Sequence, residues 1–205
     1  MSDIKKIKNN YLNLVLKYGD DVRSSQFEND DAFLYRFKEL INIGNLESKK
    51  ILDIGCGRGD LYFYLKNSEY KNKIEYMGID IVEDIIKIAK QKYKFDSKVR
   101  FETIDIFNDN SLIKESFDYV FMSAIFNNNI GNTDLYLKEM ITKAFELCNT
   151  GLAFNFISTY VNFKDESMAY HNPNEVLNFC IKNLSKKVKI NHHYWKCDTS
   201  VFVYK

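Results

Sequence analysis

The sequence predicts an α/β domain. Its sheet is mostly parallel and seven-stranded, with helices on both faces and an antiparallel hairpin strand at the C-terminal end. Three observations lead there. From Ile51 onward, five short β-type runs alternate with stretches of helical periodicity. The first run opens into a glycine-rich bend, Gly55-Cys56-Gly57-Arg58-Gly59. The last part of the chain holds two alternating runs, Val188 to Tyr194 and Ser200 to Tyr204, spaced for a hairpin. Parallel strands need long crossovers, and helices on both sheet faces supply them.

Before the first strand, Ile4, Ile7, Tyr11, Leu14, Val15 and Tyr18 recur at helical spacing, and Gly19-Asp20-Asp21 stops that helix. A polar stretch from Arg23 to Asp30 leads into a second helix, about Asp31 to Ile43, with Phe33, Leu34, Phe37, Leu40 and Ile41 on one face. Gly44 is its expected C-terminal cap. Residues 1–46 therefore read as an N-terminal helical segment, a lid over the main unit, and residues 47–205 as that unit. Together they form a single domain.

The strands are expected at Ile51–Ile54, Ile74–Ile79, Val99–Ile104, Phe117–Ser123 and Gly151–Ser158. Helices are expected at Leu61–Leu65, Glu83–Tyr93 and Leu135–Leu147. A further helix starts at Asn172-Pro173-Asn174-Glu175, with an Asn cap and Pro at the first helical position. Ligands of such sheets sit beyond the carboxyl ends of the strands, where strand order reverses. Chemistry is therefore sought after Ile54, Ile79, Ile104, Ser123 and Ser158.

Composition narrows the function classes. With 205 residues, 45% hydrophobic and 28% charged, the chain holds one full core. Lys plus Arg number 29 against 28 Asp plus Glu, so the basic excess of a nucleic-acid binder is missing. Cys56, Cys148, Cys180 and Cys197 form no C-x-x-C pair and read as free thiols. No run reaches the roughly 18–20 apolar residues of a membrane span. A cytoplasmic protein with no membrane partner is the expectation, and the oligomeric state stays open.

Three carboxylates stand at successive strand ends. Asp53 precedes the bend, whose spacing is G-x-G-x-G rather than the G-x-G-x-x-G of a dinucleotide fingerprint. With Asp60 it puts negative charge beside bare backbone, which disfavours phosphate and favours an ammonium group. Asp80 ends the second strand, placed to accept ribose hydroxyls and equally to cap the next helix. Asp105 ends the third strand, placed for an exocyclic amine with Ile106 against the ring, or else as a surface turn acid.

With the glycine loop, Asp80, Asp105 and the run Phe117-Asp118-Tyr119-Val120-Phe121-Met122-Ser123, the chain from about Glu47 to Lys205 resembles the class I S-adenosylmethionine-dependent methyltransferases. The resemblance implies a Rossmann-like three-layer sandwich and S-adenosyl-L-methionine as cofactor, leaving S-adenosyl-L-homocysteine as product. It implies that Asp53, Gly55, Cys56 and Gly57 line the methionine part, Asp80 holds the ribose, and Ile81, Asp105 and Ile106 hold the adenine. Ser123 would face the cofactor, and Arg36 would reach its carboxylate from the N-terminal helices; a solvated helix charge is the alternative for Arg36. A narrower resemblance, to small stand-alone bacterial and phage methyltransferases, rests on Arg36-Phe37, Ile125-Phe126-Asn127, Ala153-Phe154-Asn155-Phe156, Tyr170-His171-Asn172-Pro173 and His192-His193-Tyr194.

The same comparison shapes the substrate expectation. After the fourth strand stands Ser123-Ala124-Ile125-Phe126-Asn127, without the Pro-Pro of amino-methylating DNA enzymes. No cysteine follows a proline, as cytosine-C5 enzymes require, and no acids for a metal site follow the fourth and fifth strands. The expected reaction is methyl transfer to an O or N atom of a small polar molecule, such as a sugar or glycan precursor. His192 is the expected base, since the resemblance places a histidine there. His171 and His193 are further candidates, and Tyr170, Asn127 and Asn155 would orient the acceptor. The alternatives are an RNA or protein methyltransferase, a non-catalytic binder of the cofactor on the same fold, and an NAD-dependent oxidoreductase, which the glycine spacing disfavours.

Overall fold

The computed structural model describes residues 2–25, 30–109, 111–192 and 197–205. Two helices come first, α1 (Ser2–Tyr18) and α2 (Asp30–Leu40). The alternating part follows: β1 (Lys50–Ile54), α3 (Asp60–Lys66), β2 (Glu75–Asp80), α4 (Glu83–Lys92), β3 (Val99–Thr103), β4 (Phe117–Met122), α5 (Thr133–Leu147) and β5 (Cys148–Ile157). It ends with α6 (Pro173–Asn183), β6 (Val188–Asn191) and β7 (Asp198–Tyr204).

The seven strands form one sheet in the order β3-β2-β1-β4-β5-β7-β6. β1 to β5 are parallel, and β7 runs antiparallel to both β5 and β6. The chain steps outward from β1 to β3 and then returns to lay β4 on the other side of β1. Strand order therefore reverses between β1 and β4, where such sheets leave a crevice.

Alternation along each strand splits the core into two layers. Leu52, Val120, Met122, Leu152, Phe154 and Val201 pack with Leu137 and Ile141 of α5 and Val176 and Cys180 of α6. Ile51, Tyr76, Tyr119, Phe121, Ala153 and Phe202 pack on the other face with Phe37 and Leu40 of α2, Leu61 of α3, and Ile85 and Ile86 of α4. Phe117, Phe121, Phe154, Phe156 and Phe202 are fully buried, each worth about 1.5–3 kcal/mol of apolar transfer.

Four details differ from the sequence expectation. The second helix tightens into a 3-10 turn at Ile41–Ile43, and Gly44 follows in extended backbone, where the Tyr119 hydroxyl occupies the space a Cβ would need. Among the described residues, the link from β3 to β4 holds a 3-10 turn at Ser111–Lys114 and no α-helix. β5 starts at Cys148, directly off the end of α5, and the β4–β5 register shifts between Phe117 and Tyr119 to absorb the early start. β6 ends at Asn191; His193 and Tyr194 of the expected strand lie outside the described residues. The start of α6 follows expectation, with the Asn172 side chain accepting from Asn174 N at 3.0 Å and Pro173 at the first helical position.

Candidate active site

At the end of β1 the chain turns on Gly55, whose φ of +75° favours glycine. A Cβ there would also collide with Ile125 Cγ2. The amides of Gly55 and Cys56 both donate to Ile79 O, at 2.8 and 3.0 Å, so the bend is tied to the end of β2. The Asp80 carboxylate accepts from Gly57 N at 3.2 Å and Val82 N at 3.0 Å. One side chain thus fixes the bend and the entry to α4. Burial raises the Asp80 pKa, and the backbone bonds oppose that rise.

Asp53 is 2% exposed and accepts a short hydrogen bond from the Tyr76 hydroxyl. Burial pushes its pKa up to about 7, the Tyr76 bond pulls it down, and Asp80 and Asp60 add repulsion. The third acid of the bend is neutralised. Arg58, itself buried, donates to Asp60 at 2.7 Å and to Asp20 at 2.9 Å, joining the bend to the turn after α1. Asp105 holds its own turn, accepting from Phe107 N at 3.0 Å and Asn108 Nδ2 at 2.7 Å.

These pieces surround one cavity with about 1140 Å³ of empty space, part of it open to solvent. Asp53, Gly55, Cys56 and Gly57 border it at the bend, and Asp80, Ile81, Asp105 and Ile106 at the ends of β2 and β3. Ile85, Ile104, Tyr136 and Met140 supply apolar wall, while Ser123, Ala124 and Ile125 close the β4 side. Ile7 and Tyr11 of α1 border it too, and the Tyr11 hydroxyl accepts from Asn128 Nδ2 at 3.2 Å. Ala124 stands at φ +61°, a strained value for a residue with a Cβ. Its amide donates to Asn155 Oδ1 at 2.7 Å, which holds the strained turn in place.

Arg36, His192, Tyr170, Asn127, Asn155 and His171, all expected at the site, do not border this cavity. Arg36 pairs with Asp198 at the start of β7, through a short Nε bond and a second contact at 3.4 Å, instead of pointing at the bend. His192 lies beyond the end of β6 with Nδ1 2.7 Å from Thr199 Oγ1, and Thr199 alternates to the sheet face opposite Asp198 and Ser200. The Tyr170 hydroxyl accepts from Asp165 N at 2.9 Å, within its own loop. Asn127 is bound through its backbone to Ala169, and its buried Oδ1 has no hydrogen-bond partner. His171, 1% exposed, clamps three segments, with Nδ1 2.7 Å from Asp134 Oδ1 and Nε2 3.3 Å from Phe126 O. His193 lies outside the described residues.

Sequence reasoning passed over Tyr76, Arg58 and Tyr136. The first had a readable signal, since strand alternation puts residue 76 on the face that carries Asp53. The pairing of Arg58 with Asp20 had none, because nothing local links a loop acid to an arginine 38 residues away.

The cavity sits at the strand-order reversal of a sheet shared with solved structures. One, described as a DhpI–S-adenosylhomocysteine complex, superposes with a TM-score of 0.67 at 13% identity, over 95% of this chain and 93% of that one. Another, magnesium protoporphyrin IX methyltransferase from Synechocystis PCC 6803 with bound S-adenosylhomocysteine, gives 0.64 at 17% identity, over 85% and 82%. At these identities the likeness is one of fold. Among curated relatives, demethylmenaquinone methyltransferase of Lactococcus lactis is 34% identical over 91 residues, 42% of this chain and 34% of that protein. The chain covers less than half the length of the curated relatives it matches. A family model described as a methyltransferase domain matches residues 45–189, most of the chain and every strand that borders the cavity. With the glycine bend and the strand-end acids inside that span, the chain belongs to this methyltransferase-domain family.

Proposed function

We propose that this domain binds S-adenosylmethionine and moves its methyl group to an O or N atom of a small polar molecule, with a sugar or glycan precursor as the type. The observation that carries the reading is the convergence of Asp53, Asp80 and Asp105 on one cavity, beside backbone left bare at Gly55 and Gly57. The residues fit such a group. An anionic carboxylate suits its ammonium, two further acids suit ribose and an exocyclic amine, and Ile81, Ile85 and Ile106 suit a flat ring. A Cβ at residue 55 would run into Ile125, so glycine lets the bend lie close against the loop after β4.

When bound, the cofactor supplies an electrophilic methyl on a good leaving group. The chain's own residues then bind, orient and exclude water. In this reading Asp53, Gly55, Cys56 and Gly57 receive the methionine part, Asp80 the ribose, Ile81, Asp105 and Ile106 the adenine, and Ser123 faces the transferred group. Helix α1, through Ile7 and Tyr11, serves as the lid that shuts out water. Alignment at this wall supplies most of the acceleration. His192, Tyr170 and Asn127 are retained as acceptor-side residues; each needs its loop to move before it touches the cavity.

Calorimetry on the full chain tests the reading. S-adenosylmethionine and S-adenosylhomocysteine should bind at one site per chain, and NAD should not. Binding of NAD alone, or of none of the three, would overturn it. Turnover on RNA or protein, with none on small molecules, would replace the acceptor class and keep the cofactor.

A further inference from the structure

Tyr136 stands in the first turn of α5, where its amide donates to Asn132 O at 3.1 Å. It borders the cavity together with Ile106 and Phe107, which follow β3, and with Met140, one turn further along α5. Residues four apart share a helix face, so α5 presents Tyr136 and Met140 side by side. Two rings hold the Tyr136 ring in place, Phe107 at a centroid distance of 6.0 Å and Phe126 at 6.1 Å. Phe107 lies in the loop after β3 and Phe126 in the loop after β4, so the ring is wedged between the two. These contacts account for the ring alone. A third phenylalanine would fill the wedge equally well, which leaves the hydroxyl to be explained.

The neighbours of that hydroxyl are polar and belong to the cavity. The carboxylates of Asp105 and Asp80 and the phenol of Tyr11 act on it electrostatically, and burial and these charges all raise its pKa. The three groups come from the end of β3, the end of β2 and helix α1, and each borders the same cavity as Tyr136. The hydroxyl therefore sits on the side of the ring where the two acids are. Among the described residues it has no hydrogen-bond partner. A phenol beside two carboxylates keeps its proton, so it offers a donor, whereas an ionised carboxylate only accepts. One donor and one acceptor on a single wall match an adenine edge, which carries an amine next to an unprotonated ring nitrogen.

We infer that the Tyr136 hydroxyl is a specificity determinant of the nucleoside pocket, donating to a ring nitrogen of the cofactor's adenine beside the amine that Asp105 accepts. This inference rests on the cofactor reading of the cavity. It adds a residue of α5 to a set otherwise drawn from the glycine bend and the strand ends. It also places Tyr136 against the base, away from the methyl acceptor, because its polar neighbours are the acids assigned to ribose and adenine.

Calorimetry on the full chain tests it, with S-adenosylhomocysteine and its 1-deaza, 3-deaza and 7-deaza analogues as ligands. Each analogue lacks one ring nitrogen and keeps the rest of the molecule. Tyr136→Phe retains the ring and its contacts with Phe107 and Phe126, so its thermal melt should match that of the wild type. S-adenosylhomocysteine should bind this variant about fivefold more weakly, the worth of one neutral hydrogen bond. One analogue should bind the wild type about fivefold more weakly than S-adenosylhomocysteine does, and should lose nothing further in the variant. The other two should lose the same factor on substitution as S-adenosylhomocysteine. If Tyr136→Phe melts well below the wild type, Tyr136→Met replaces it, since a flexible apolar chain fills the same wedge; the same pattern is required of it. Unchanged affinity for S-adenosylhomocysteine in a variant that melts normally would overturn the inference. So would a loss shared equally by all three analogues, since the hydroxyl would then act without touching the base. A wild-type chain that binds no S-adenosylhomocysteine would instead remove the cofactor reading, and this inference with it.

Discussion

If Asp53 receives the cofactor's ammonium, as proposed, cofactor affinity should depend on pH in a direction set by the raised pKa of this carboxyl. Its carboxyl is buried, bonded to the Tyr76 hydroxyl and pushed up to about 7, so near neutrality it is divided between neutral and ionised forms. If only the anion receives the ligand's ammonium, binding releases a proton below that value. From about pH 7.5 down to about pH 6, affinity for S-adenosylhomocysteine should then fall about eightfold. The ligand's amine titrates as well, so the control is Asp53→Asn, which keeps the ligand's behaviour and removes the protein's. The wild-type slope, less that of the variant, should show the rise. Stability runs the other way. A carboxyl whose pKa is raised in the folded state stabilises the protein fully below its unfolded value of 3.8, and that contribution is lost as pH rises through about 7. The loss is at most on the order of 4 kcal/mol. Asp53→Asn should therefore melt higher than wild type at about pH 8 while binding S-adenosylhomocysteine more weakly. Calorimetric titrations at several pH values, with thermal melts alongside, measure both. Equal pH slopes in wild type and variant would refute the argument, since Asp53 would then be ionised throughout or turned away from the ligand.

Three other perturbations follow from the same geometry. Asp80→Ala removes the acceptor for Gly57 N and Val82 N as well as the proposed ribose contact. A charge-assisted bond contributes about 1.5–3 kcal/mol, so adenosine-containing ligands should bind at least about tenfold more weakly in calorimetry. Unchanged affinity would take Asp80 out of the site. Gly55→Ala forces a side chain into φ +75° and against Ile125. A loss of at least about 1–2 kcal/mol in urea melts is expected, together with loss of S-adenosylhomocysteine binding, and a variant normal in both would contradict the close approach. His171→Ala unlinks Asp134, Phe126 and the loop before α6. It should lower the urea midpoint by the equivalent of about 2–4 kcal/mol with the m-value unchanged. Affinity for S-adenosylhomocysteine should persist, because His171 does not border the cavity. A selective loss of binding would give His171 a direct role.

Local chemistry made much of this readable from the chain. Five strand runs, the bend that follows β1 and the cap at Asn172 depend on neighbours within a few residues, and they fold as those neighbours require. The acids Asp53, Asp80 and Asp105 were found because parallel strands deliver their carboxyl ends to one edge. Element boundaries were less readable. The 3-10 turn at Ile41–Ile43 and the early start of β5 left no local mark, and the second goes with a shift in the β4–β5 register, a pairing between segments distant in sequence.

Taken alone, the sequence determined the fold class, the position of the glycine bend and the strand ends where chemistry would gather, because periodicity and turn residues act over one or two turns of chain. The tertiary structure decided which polar groups meet. It sent Arg36 to Asp198 across 162 residues and gave Asp53 the Tyr76 hydroxyl. Such pairings follow from strand order and register, which are properties of the assembled sheet and leave no mark on any single segment.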